Sequence, residues 1–487
     1  MDSSALFLFF MLCFSCSSFC ASEMLLLPLK HSISPTQFNS THHLLKSTSS
    51  RSAARFHHQR RLRHRHVSLP LSPGSDYTLS FNLGSHPPQP ITLYMDTGSD
   101  LVWFPCAPFE CILCEGKPNP SLHTRPPNIS RSVVVSCKSP ACSAAHTSAS
   151  SSDLCAMARC PLENIETSDC SSYSCPPFYY AYADGSLVAR LYSDTLAVSP
   201  SSGALFLKNF TFGCAHTTLG EPTGVAGFGR GLISLPAQLA SFSPQLGNQF
   251  SYCLVSHSFD QQRVRHPSPL IIGRSDEKEN IDSGSNEFVY TSMIENPKHP
   301  YFYCVGLMGI SVGNSTIPAS KMLSRVDEEG NGGMVVDSGT TFTMLPASLY
   351  NSVVAEFNGR VGRVHERAGE VEDKTGLGPC YFSEKKKTVE IPTVTLHFVG
   401  NNSSVVLPRK NYFYEFLYGG DGAKEKRNVG CLMLMNGGDE AESDGGPGAT
   451  LGNYQQQGFE VVYDLENQRV GFARRQCASL WDKLNSK

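Results

Sequence analysis

The chain has 487 residues, of which 17% are charged and 40% apolar, with 40 Gly, 31 Pro, 18 Cys and a net charge of −3. That length exceeds one ordinary hydrophobic core and predicts two lobes. Abundant Gly, Pro, Ser and Thr, with few long amphipathic helical patterns, argue against a helical protein and for a β-rich chain with many turns.

Residues 1–21 read as a secretory signal. The apolar run Ala5-Leu6-Phe7-Leu8-Phe9-Phe10-Met11-Leu12 is too short to cross a bilayer and leads to small residues around Cys20-Ala21-Ser22. No Lys or Arg precedes the run, so the terminal amine alone supplies positive charge there. No later stretch is long enough for a membrane span. Loss of Cys13, Cys16 and Cys20 with the signal leaves 15 cysteines. In a secreted chain that density implies a disulfide framework, and an odd count leaves at least one thiol unpaired or bonded to another chain. Zinc is the competing reading for Cys111-Ile112-Leu113-Cys114. The secretory context and the lack of a second matching Cys-x-x-Cys favour bridges, so no metal is expected.

Residues 22–70 form a basic leader. Lys30, Lys46, Arg51, Arg55, Arg60, Arg61, Arg63 and Arg65 stand against only Asp2 and Glu23 in residues 1–75, a balance of +6, which leaves −9 on the rest. A basic leader on an acidic body predicts an electrostatic latch, a removable prosegment lying over a carboxylate-lined cleft. A disordered tail or a nucleic-acid arm is the blander reading, and nucleic acid suits a secreted protein poorly. Arg60-Arg61 is a plausible processing point. The histidines of the leader are too irregularly spaced to argue for a metal.

The first lobe spans 71–280. Leu79-Phe81-Leu83 and Ile91-Leu93-Met95 alternate as strands, the second running into Asp96-Thr97-Gly98-Ser99. Leu101-Val102-Trp103-Phe104 resumes an apolar strand. Residues 106–175 hold nine cysteines and too little apolar surface for a core, predicting an irregular insert stapled by local bridges. Residues 178–192 form a hairpin, Tyr179-Tyr180-Ala181-Tyr182 leading into Ala183-Asp184-Gly185-Ser186 with Asp-Gly at the tip. Phe210 to Cys214 is a further strand, and Gly224-Val225-Ala226-Gly227-Phe228-Gly229 can pack tightly beside a neighbouring loop.

A polar, charged connector falls at 274–286, and the second lobe spans 281–487. Strands are expected at 301–305 and 310–312, then Val335-Val336-Asp337-Ser338-Gly339-Thr340 repeats the earlier device. Leu349, Val353, Val354 and Phe357 mark a helix after Pro346. Residues 437–448 are acidic and Gly-rich and read as a mobile loop. Thr450-Leu451-Gly452-Asn453 mirrors the apolar-Gly element, and 459–472 reads as a hairpin turning near Asn467. The order strand-Asp-hydroxyl-Gly, then apolar-Gly, therefore occurs twice, as in a degenerate duplication.

An Asp leaving an apolar strand is costly to bury unless it is hydrogen-bonded or paired. Two such loops face to face would set two carboxyls against each other, so that they share a proton. One then acts as base on a water and the other as acid. On the two Asp loops, Trp103, Tyr182 before Asp184-Gly185-Ser186, Leu451-Gly452, the cysteine-rich insert and Phe250-Ser251-Tyr252-Cys253, the chain resembles the pepsin-type aspartic proteases, closest to the plant nepenthesin-like branch. The resemblance runs over residues 75–478.

It implies an all-β fold: a bilobal, pepsin-like double β-barrel with the active-site cleft between the lobes. It implies a secreted aspartic endopeptidase, Asp96 and Asp337 catalytic, acting on polypeptides at acidic pH without a cofactor and as a monomer. Ser99 and Thr340 would hold the outer carboxylate oxygens, and Thr97 and Ser338 would lock the loops together beside Gly98 and Gly339. Tyr182 would close over substrate from the flap, supported by the Trp103 ring N–H. Ala183 stands where the family commonly has Gly, which would stiffen that hairpin. The resemblance also suggests a Cys380–Cys431 bridge, the pairing within the insert staying open. Asn128, Asn209, Asn314 and the overlapping Asn401 and Asn402 are sequons. The destination is extracellular (apoplast or cell wall), with the vacuole the alternative. The rival reading is an inactive relative, a binding protein or glycosidase inhibitor. Such relatives have typically lost part of the Asp machinery, whereas both loops here are intact.

Overall fold

The computed structural model describes residues 24–32, 40–60, 77–84, 87–114, 126–181, 185–198, 205–220, 222–247, 249–256, 266–273, 288–383, 389–419, 426–438 and 446–486. The signal, the connector at 274–286, most of the acidic stretch 437–448 and the flap-tip residues Tyr182, Ala183 and Asp184 lie outside the described residues.

Strands dominate, and their alternation follows the sequence. In Tyr77–Leu83 the buried Leu79, Phe81 and Leu83 face the core, pairing antiparallel with Gln89–Asp96 in the register Leu79↔Leu93 and Phe81↔Ile91. Each half then repeats one arrangement. In the first, Gln89–Asp96 runs parallel to Gly224–Gly227, with Asp96 opposite Gly227. In the second, Gly332–Val336 runs parallel to Pro447–Leu451, with Val336 opposite Leu451. The duplication legible in the sequence is thus also a duplication of backbone pairing.

A six-stranded antiparallel sheet underlies both halves. Its order is Leu25–His31, Ser268–Ile272, Gln249–Cys253, Phe459–Asp464, Arg469–Arg474, Val289–Ile294. The C-terminal hairpin therefore joins a first-half strand, and Cys253–Cys477 ties the same junction covalently. A division at 280–281 separates the chain but not this sheet. The edge strand comes from the leader, and its Leu25, Leu27 and Leu29 belong to the same core cluster as Phe250, Tyr252 and Ile272.

The insert is more regular than expected. Three short helices, Pro140–Ala145, Ser151–Met157 and Leu162–Glu166, are crossed by Cys137–Cys170 and Cys142–Cys175. Cys111–Cys114 is local, but Cys106 leaves the insert to pair with Cys214, so the bridges are not all local. Cys106 can reach Cys214 because Trp103–Ile112 runs parallel to Leu205–Leu219, with Phe104 opposite Cys214. In the second half Cys380 pairs with Cys431 across two antiparallel strands.

Candidate active site

The two Asp loops meet at the centre of the molecule with matched contacts. Ser99 Oγ donates to Asp96 Oδ2 at 2.6 Å, and Thr340 Oγ1 donates to Asp337 Oδ2 at 2.7 Å. The Gly98 and Gly339 amides donate to the other oxygens, at 2.9 and 2.7 Å. Each loop is anchored to its own apolar-Gly element: Gly229 N–H donates to Ser99 O at 2.9 Å and Asn453 N–H to Thr340 O at 2.7 Å.

Between the halves the hydroxyls interlock. Thr97 N–H donates to Ser338 Oγ at 3.0 Å and Ser338 N–H to Thr97 Oγ1 at 2.9 Å. Thr97 Oγ1 donates onward to Val336 O at 3.0 Å, and Ser338 Oγ to Met95 O at 3.3 Å. Glycine is required where the loops face: a Cβ on Gly98 would lie 2.7 Å from Asp337 Oδ1, and one on Gly339 would lie 2.3 Å from Asp96 Oδ1. The carboxylates of opposite halves are therefore neighbours, and both are fully buried.

A third buried charge sits between them. Arg55 Nη2 donates to Asp96 Oδ1 at 2.6 Å, and Arg55 Nε donates to Asp337 Oδ2 at 2.9 Å. It comes from the leader helix Thr41–Arg60. Alongside Arg55, the buried face of that helix includes the small hydroxyls Thr48, Ser49 and Ser52. Ser52 Oγ accepts Phe342 N–H at 3.1 Å, and Ser49 Oγ donates to Thr375 O at 2.6 Å. Thr48 and Ser52 turn their hydroxyls back to Leu44 O and Thr48 O, which satisfies them within the helix. Leu44, Leu45 and Phe56 anchor it in an apolar cluster with Phe342, Met344, Tyr414, Met435 and Tyr454. A Cβ on Gly437 would lie 2.4 Å from the Phe56 ring, so Phe56 fits directly against that backbone.

The electrostatics are asymmetric. Burial raises the Asp96 carboxyl, and the Arg55 charge only partly offsets it while Asp337 pushes it further up. Burial also works to raise Asp337, but Arg55, the Thr340 hydroxyl and the Gly339 amide overcome it and hold that carboxyl below the usual range. With Arg55 in place the two carboxyls and the guanidinium titrate as one coupled unit. Burial pulls the Arg55 guanidinium down, yet the two carboxylates outweigh it and keep it charged.

Of the flap, strands Phe178–Ala181 and Ser186–Val198 pair up to Ala181↔Ser186, with Gly185 and Ser186 half-buried. Trp103 is fully buried in the cluster that also holds Phe178 and Leu187 of this hairpin. Asn128, Asn209, Asn314, Asn401 and Asn402 are all exposed.

Three features have roles that the sequence did not assign. Arg55 is one of eight leader cations, and only the fold singles it out. Beneath the interlocked loops Tyr463 OH lies 3.5 Å from Thr97 Oγ1 and 2.8 Å from Tyr252 OH, which donates to Gln456 Oε1. Gln456 Nε2 in turn donates to Leu451 O at 2.8 Å. Asp100 lies behind the first loop, accepting Gly231 N–H at 2.8 Å, and burial pushes its carboxyl up to about 6.

Comparison with known proteins agrees with this geometry. Residues 77–274 match the family described as xylanase inhibitor N-terminal, and residues 302–474 match its C-terminal counterpart. A probable aspartyl protease of Arabidopsis thaliana is 63% identical over 490 residues, covering 97% of this chain and 96% of the relative. Aspartic proteinase nepenthesin-2 of Nepenthes gracilis is 27% identical over 420 residues, covering 85% of this chain and 81% of its own. Among solved structures, basic 7S globulin from soybean superposes with a TM-score of 0.59 at 19% identity, over 94% of this chain and 99% of that one. That likeness speaks for the fold alone.

Proposed function

The chain belongs to the plant pepsin-like aspartic proteases and is an aspartic-type endopeptidase acting on polypeptides, and from that premise we propose that it is a secreted acid protease made as a self-blocked precursor. Asp96 and Asp337 form the catalytic pair. The observation that carries this is the symmetric cradle, a hydroxyl and an amide on each carboxylate, with the carboxylates facing one another across interlocked loops.

One carboxylate of the pair, ionised, takes the proton of a water held between them. The other, protonated, polarises the substrate carbonyl and later protonates the leaving amine. The activity requires Arg55 to leave, since its guanidinium occupies the carboxylate oxygens that water and substrate need. The apolar signal-like start and the six bridges support passage through an oxidising secretory route to the cell wall or apoplast, or to the vacuole.

The test is cleavage of denatured globin by the purified protein after acidification. Wild type should cut at acidic pH, and Asp96→Asn and Asp337→Asn should each be inert. A protein that binds a partner but never cuts under these conditions would return the inactive-relative reading.

A further inference from the structure

Six bridges account for 12 of the 15 cysteines beyond the signal, leaving Cys155, Cys160 and Cys304 as free thiols, all buried. Two of the three are brought together by a helix end. Helix Ser151–Met157 stops with Arg159 in the left-handed region, at φ +58. Arg159 N–H donates to Ala156 O at 3.0 Å and Cys160 N–H donates back to Cys155 O at 3.0 Å. This double bond pattern is the Schellman ending, in which the second residue beyond the cap folds onto the third from the helix end. Those two positions usually carry an apolar contact. Here they are Cys160 and Cys155, both buried.

We propose that Cys155 and Cys160 close a seventh disulfide across this helix end in the secreted protein. Closure removes two protons and two electrons from the thiols and forms one S–S bond. A disulfide-bearing thiol oxidoreductase of the secretory lumen accepts the electrons and is itself reduced to a dithiol. The inference rests on the secretory reading above, because a reducing compartment would leave the pair open.

The surroundings say why closure matters. The Cys155 sulfur lies within 4.8 Å of both Cys137 and Cys170, whose bridge crosses the same insert. A thiolate at Cys155 could attack that bridge and reshuffle it. A closed Cys155–Cys160 pair removes the attacking group. It also spans an exposed turn, where Met157 and Arg159 face solvent. Only Cys304 then remains. It is enclosed beside the second Asp strand, opposite Val335, and burial pushes its thiol up to about 12, so it stays an inert thiol.

The experiment uses the full chain secreted from a eukaryotic host, denatured without reductant, alkylated, and digested before Asp residues. Fragment 153–168 contains Cys155 and Cys160 and no other cysteine. The expected result is an unalkylated fragment two hydrogens lighter than its reduced form, which trypsin cuts after Arg159 into two pieces that stay linked. One alkyl group per chain is expected, on Cys304. A fragment carrying two alkyl groups while the six other bridges are intact would overturn the pairing and leave the secretory reading standing. Linkage of Cys155 to Cys137 or Cys170 would also overturn it. Label on all 15 cysteines would overturn both readings.

Discussion

Replacing Arg55 by alanine deletes a buried guanidinium that bridges both carboxylates, at 2.6 and 2.9 Å. Removing one partner of a buried ion pair generally costs ~3–5 kcal/mol. The lower end applies here, because the two carboxylates left behind can share a proton instead of both staying charged. At ~1.4 kcal/mol per decade, ~3 kcal/mol is roughly a hundredfold rise in the population with the leader out of the cleft. The variant does not open fully. Leu44, Leu45 and Phe56 stay buried in the apolar cluster, and each such side chain is worth ~1.5–3 kcal/mol. The assay is the initial rate on a quenched fluorescent peptide at pH ~6, read from intact precursor before processing. Wild type should show a long lag and almost no initial rate. Arg55→Ala should start roughly a hundredfold faster with a shortened lag. Arg55→Lys should fall between, since an ammonium keeps the charge but cannot fork to both acids. Equal lags and rates for wild type and Arg55→Ala would refute the latch.

Acid should open the same latch. Arg55 holds Asp337 below the usual carboxylate range, so this pairing is complete above that range and is lost as pH falls through the lowered value. Leader release followed by gel filtration should therefore rise as pH drops below ~4, and release peaking near neutrality would contradict it. Thr97→Val removes the hydroxyl that accepts Ser338 N–H and donates to Val336 O. It should lower kcat more than tenfold with KM little changed, at a stability cost of ~1–3 kcal/mol read from denaturant unfolding. Asp100→Asn tests a pH effect of opposite sign. Burial raises that carboxyl to about 6 in the fold, so its protonated form favours folding, and stability falls as pH rises from ~4 through ~6. This variant should match wild type in thermal unfolding at pH ~3 and exceed it by roughly 2–3 kcal/mol at pH ~7; identical curves at both would reject the assignment. Opening Cys253–Cys477 with paired alanines should cost ~2–5 kcal/mol, because the bridge closes the junction of first-half strand and C-terminal segment.

The site was legible where its chemistry is local. Asp96 and Asp337 each carry their hydroxyl, Gly and apolar strand within a few residues, so sequence alone exposes both and their kinship. Local alternation likewise marks Tyr77–Leu83 and Gln89–Asp96 as strands. What was not legible is partnership at long range. Nothing in 459–472 says that this hairpin pairs with Gln249–Cys253, and nothing near Cys106 points to Cys214. The leader helix escaped periodicity for a different reason. Its buried face is Thr48, Ser49, Ser52 and Arg55 more than it is leucine, and an apolar-period test is blind to a polar stripe that satisfies its own hydroxyls. Arg55 was visible as charge but not as the chosen charge, because seven neighbours carry the same sign.

If the leader is cut away on activation, the strand Leu25–His31 goes with it. Its departure strips Ser268–Ile272 of one neighbour and empties three leucine sites in the shared core. The shorter product is thus a different folding problem from its precursor. Once unfolded, it lacks the segment that completed the sheet when the chain was first made. The lifetime of such a processed form would then rest on slow unfolding rather than on refolding.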